Sequence, residues 1–150
     1  DRDFRNGHKL LSLYLESCRP LDLVIISLGT NDLKASSSLS IEDIKSNVRD
    51  LCQQALTFDY APYQPPQVLL VAPAPLVNSS QLDPEFAEAI ASSRKLAVAY
   101  FQVSQELNIH FLDAGRVVRT SPVDGVHWDD NGHHDFARHL SAQIPTIINS

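Results

Sequence analysis

The apolar run Leu23–Leu28 and the residues that stop it, Gly29-Thr30-Asn31-Asp32, constrain this chain more than any other stretch. Bounded by Asp22 and Gly29 and rich in β-branched residues (Val24, Ile25, Ile26), the run predicts a fully buried parallel strand. Gly29 to Asp32 then contribute only small or polar side chains. In open α/β sheets ligands sit just beyond the carboxyl ends of the strands. Asn31 and Asp32 are therefore expected on the ligand face.

The rest of the chain alternates around that strand. Asp1–Gly7 reads as a polar loop, and His8–Cys18 sets Leu10, Leu11, Tyr14, Leu15 and Cys18 at helical spacing, with Pro20 as its stop. Ser40 and Asp43 form a capping-box pattern ahead of a helix with Ile44, Val48, Leu51 and Cys52 on its apolar face. Val68–Val71 is a second short strand, cut off by Pro73 and Pro75. Asp83-Pro84-Glu85 opens what should be the longest helix, carrying Phe86, Ile90, Ser93 and Tyr100, with Asn108 as its left-handed terminator. Ile109–Leu112 is a third strand. Asp129 or Asp130 then caps a final helix, which Pro145 should kink or end.

Strands alternating with helices through right-handed crossovers predict a three-layer α/β/α sandwich on a parallel sheet. Three strands are few for such a sheet, and a strand as apolar as Leu23–Leu28 calls for a neighbour on both edges. The 150 residues are therefore expected to form the larger part of one domain.

A net charge of −6 with scattered Arg and Lys argues against nucleic acid or an anionic membrane as partner. No apolar run is long enough to span a bilayer. Cys18 and Cys52 lie in apolar helical patterns and read as buried free thiols, which leaves the redox compartment open. A soluble protein is expected, with the cytoplasm slightly favoured. His127, His133, His134 and His139 follow one another at spacings of six, one and five, without the i, i+4 geometry of a zinc helix. No metal and no cofactor is expected.

Asp124-Gly125-Val126-His127 is the second informative stretch. An Asp and a His three residues apart on a glycine-containing loop can fold so that the carboxylate meets one imidazole nitrogen. The other nitrogen is then left to face a nucleophile. The acid fixes the tautomer, and an imidazole, ordinarily titrating near about 6.5, serves as general base and then general acid. The side-chain amide of Asn31 can donate to an oxyanion from beyond a strand end. Thr30, Pro75 and Trp128 are candidate walls of a substrate pocket.

Together, G-T-N-D at Gly29–Asp32 and D-G-V-H at Asp124–His127 resemble two blocks of the SGNH (GDSL-like) hydrolase family, nearest its bacterial arylesterase and acyltransferase branch. The resemblance implies a flavodoxin-like three-layer fold, Asn31 in the oxyanion hole, and Asp124 and His127 as the acid and base of a Ser-His-Asp triad. It also implies a nucleophilic Ser and a Gly block that this sequence lacks. Arg5-Asn6-Gly7 resembles the residues just after that Gly block. The expectation is thus a C-terminal part of one SGNH domain lacking the first strands, with the Ser carried by an N-terminal segment as a separate, bound chain. The expected activity is hydrolysis of small acyl or aryl esters, with acyl transfer open and this chain inactive alone. Two alternatives stand beside it: a carbohydrate or lipid deacylase of the same fold, and a non-catalytic interaction subunit. Assembly into a homo-oligomer is also open.

Overall fold

A computed structural model describes residues 6–150. The loop expected over the first residues falls mostly outside this range, and Gly7 is already helical. Helix α1 (Gly7–Ser17) starts with the Asn6 side chain accepting the amide N–H of Lys9. Strand β1 (Leu23–Ile26) follows, then two single 3₁₀ turns, Asn31–Leu33 and Ala35–Ser37. Helix α2 (Ile41–Thr57) opens with the expected capping box: the Asp43 N–H donates to Ser40 Oγ, and Asp43 accepts the Ser40 N–H in return. Strand β2 (Gln67–Ala72) leads to a broken helical segment, α3 (Ile90–Ser93) and α4 (Leu96–Leu107). Strand β3 (His110–Asp113) and helix α5 (Asp130–Ile148), capped by Asp129, complete the chain.

The strands form one parallel sheet in the order β1-β2-β3, with Ile26 opposite Leu70 and Ala72 opposite Asp113. Side chains alternate between its two faces, as the pleat requires. Val24, Ile26, Val68, Leu70 and Ala72 join a core with α1, α2 and α4, while Leu23, Leu69, Val71 and Leu112 face Phe136, Leu140 and Ile147 of α5. Two helical layers thus enclose the sheet. No helix of the described residues is long and apolar enough to cross a membrane.

Four expectations need correction. The Leu23–Leu28 strand is neither six residues long nor fully buried: β1 ends at Ile26, and Ile25 and Leu28 are 39 % and 51 % exposed. Among the described residues β1 pairs only with β2. With a neighbouring strand on one side only, β1 is not enclosed, and Ile25 is left open to solvent.

The helix opened by Asp83 is broken into a 3₁₀ turn (Pro84–Phe86), α3 and α4, and the longest helix is instead α5 with 19 residues. Buried Ser93 explains the break. Its hydroxyl donates to Ile90 O and accepts the Leu76 N–H at 3.0 Å, which ties the helix to the loop after β2 and competes with continued winding. Asn108 does terminate α4 in the left-handed conformation.

Pro145 does not end α5, which runs on to Ile148. The proline stands in the last turn, where buried Ile147 anchors the helix and Asn149 Nδ2 donates to Pro145 O. Cys18 is exposed at the end of α1 rather than buried; Cys52 is fully buried, and both are free thiols.

Candidate active site

The two candidate motifs lie on loops: the Asn31 turn follows β1, and the Asp124–His127 loop is bonded to the segment that follows β2. Leaving β1, the chain turns at Gly29, whose φ of +121° a side chain would resist. Three successive backbone bonds wind the turn that carries Asn31: Asp32 N–H to Gly29 O, Leu33 N–H to Thr30 O and Lys34 N–H to Asn31 O, at 3.1 to 3.3 Å. Asn31 is exposed, and among the described residues its side-chain amide has no protein partner. Asp32, next to it, is partly buried. Burial raises its carboxyl above the usual range, with the charge of His8 opposing the shift.

The second motif closes on itself. Asp124 Oδ2 lies 2.7 Å from His127 Nδ1, while Asp124 Oδ1 accepts the backbone N–H groups of Val126 and His127, each at 2.9 Å. The Val126 N–H, then the His127 ring and the His127 N–H, hold the Asp124 carboxyl down at about 2. Asp124 is therefore an anion throughout the neutral range. The His127 side chain is 81 % exposed, and its Nε2 has no protein partner among the described residues.

The loop is fastened from behind. Gly125 has φ +74°, and a Cβ there would collide with the Val77 carbonyl. The Val77 N–H donates to Gly125 O, the Gly125 N–H to Ser121 O, and the Ser121 N–H to His127 O. Thr120 Oγ1 adds a bond to Pro75 O at 3.0 Å, and Ser79 Oγ one to Val123 O at 2.6 Å. The segment after β2 is thus the frame on which the Asp124–His127 loop is strung.

An apolar cluster joins the two motifs. Leu76, Phe86 and Ala89 are buried together, and both Leu33, from the Asn31 turn, and Val126, from the Asp124–His127 loop, pack against them. Of the remaining sequence candidates, Thr30 contributes its carbonyl to the turn, and Pro75 abuts Gly115. Trp128 packs at a tilt against Phe136 and His133 of α5, with ring centroids 4.8 and 5.4 Å away. A groove of about 610 Å³ between α4 and α5 is lined by none of these residues, whereas a hollow of about 190 Å³ borders Leu33 and Lys34.

No three His, Cys, Asp or Glu side chains gather as a metal site among the described residues. His133 and His134 are exposed on α5, and His139 pairs with Gln143. Sequence reasoning missed Tyr100, counted only as part of an apolar helix face; its hydroxyl donates to Leu28 O at 2.9 Å. The available signal was a hydroxyl within an otherwise apolar face, which needs a partner when buried.

Several solved structures share this architecture. A proposed arylesterase from Agrobacterium tumefaciens strain C58 superposes with TM-score 0.88 at 42 % identity, covering 95 % of this chain and 69 % of that one. Est24, a carbohydrate acetylesterase from Sinorhizobium meliloti, gives TM-score 0.89 at 31 % identity over 97 % of this chain and 70 % of its own. An aryl esterase from M. smegmatis gives 0.86 at 33 % identity over 92 % and 66 %. No protein-family model and no curated protein sequence matches the chain.

Proposed function

This chain belongs to the SGNH (GDSL-like) hydrolase family, and from that premise we propose that it carries the acid, the base and one oxyanion donor of a serine esterase acting on small acyl or aryl esters. Membership supports esterase chemistry in general; the assignment of roles is our reading. In it, the chain is the larger C-terminal part of one hydrolase domain. A segment ahead of Asp1 supplies the nucleophilic serine and a strand for the edge of β1 that is unpaired among the described residues.

The observation that carries the reading is the Asp124–His127 pair. One carboxylate oxygen is fixed by two backbone N–H groups, and the other orients Nδ1, which leaves Nε2 of an exposed imidazole free. The serine hydroxyl attacks the acyl carbon as His127 Nε2 takes its proton, and Asp124 stabilises the imidazolium. The Asn31 amide donates to the tetrahedral oxyanion. His127 then returns the proton to the departing alcohol. Water, deprotonated by the same nitrogen, releases the acid and regenerates the serine. Thr30, Pro75 and Trp128 serve as pocket walls. The likeness to Est24 favours acetyl groups on a sugar as a second substrate class.

The test replaces His127 with Ala in the complete protein and follows phenyl acetate hydrolysis. Turnover should fall by about 10³-fold or more with the fold intact. Undiminished activity would overturn the assignment, and a complete protein without any esterase activity would favour a binding subunit.

A further inference from the structure

Tyr100 sits in the middle of α4 and is 1 % exposed, yet its hydroxyl leaves the apolar layer for the end of β1. It donates to the Leu28 carbonyl, the last before the Gly29 turn. The same oxygen fills the notch left by the missing side chain of Gly29: a Cβ there would collide with Tyr100 Oη and stand 3.2 Å from Cζ. Burial pushes the phenol far above its ordinary range, so it remains a neutral donor. A phenylalanine would fill the same core volume. The hydroxyl, whose burial is costly without a partner, therefore has a single role, which is to fix the peptide from which the Asn31 turn springs.

We propose that Tyr100 is a positioning residue whose hydroxyl, acting through the Leu28 carbonyl and Gly29, sets where the Asn31 amide meets the developing oxyanion. This rests on the role given to Asn31 above. An oxyanion donor must match the transition-state oxygen closely, and small displacements of positioning groups cost rate rather than substrate affinity.

The experiment is a double-variant cycle in the complete protein with phenyl acetate: Tyr100→Phe, Asn31→Ala and both together. Tyr100→Phe should lower kcat about tenfold with KM within about twofold. In the Asn31→Ala background it should cost nothing further, since the group it positions is gone. Amide exchange at Asp32, Leu33 and Lys34 should quicken in Tyr100→Phe, while that of α4 stays as in the parent. A kcat within about twofold of the parent, or losses that simply add, would overturn the proposal and leave the Asn31 role standing. Full kcat in Asn31→Ala would remove both.

Discussion

Leu33 and Val126 come from opposite parts of the chain and rest on one apolar cluster, Leu76, Phe86 and Ala89. Leu33 follows Asn31 by two residues, and Val126 immediately precedes His127. The cluster therefore couples the candidate oxyanion donor to the candidate base through packing, with no direct polar bridge between them among the described residues. Interiors pack densely and transmit displacement, so a change at the cluster should reach both groups.

Phe86→Ala tests this coupling. Phe86 is 4 % exposed, and truncating a buried Phe costs about 3–5 kcal/mol. Denaturant unfolding should show a loss of that order. At temperatures where the variant remains folded, kcat for an aryl acetate should also fall, because both loops lose a shared support.

Gly125→Ala should damage the site locally. The residue has φ +74°, and a Cβ would run into the Val77 carbonyl that lies behind the loop. Residues forced into such backbone conformations cost about 1–3 kcal/mol. The measured consequences are a lower Tm and a weakened Asp124–His127 pair, visible as a change in the His127 ring resonances.

The acid limb of stability carries a signature of Asp124. Its carboxyl lies at about 2 against an ordinary 3.8, so its bonds to the Val126 N–H, the His127 ring and the His127 N–H favour the folded state above the unfolded value. That contribution is lost as pH falls through about 2. Carbon-13 titration of the Asp124 carboxyl should give a midpoint of about 2. Asp124→Asn should lack the part of the acid-induced stability loss that falls between these two values.

The two thiols should differ in reactivity. Cys52 is fully buried, and desolvation pushes its thiol up to about 12, whereas Cys18 is exposed at the end of α1. An aromatic disulfide reagent should modify Cys18 within minutes in the native protein and Cys52 only after unfolding. Fast native labelling of Cys52 would mean that the α2 layer opens readily.

What the sequence determined by itself was local. Ser40 and Asp43 satisfy each other's backbone across three residues, Asp129 caps α5, and Asp124 folds onto His127 within one loop. Such contacts depend on residues a few positions apart, so spacing alone encodes them. The order of strands and helices, and with it the layered α/β class, was legible for the same reason. Tertiary structure decided the rest. Burial depends on neighbours distant in sequence, so the small number of strands could show that β1 lacks a partner on one edge, but not that it ends at Ile26 or that Ile25 stands 39 % exposed. The helix after Asp83 breaks because Ser93 meets Leu76 across 17 residues. Only the packed fold brings the Tyr100 hydroxyl to Leu28, and Leu33 and Val126 to one cluster.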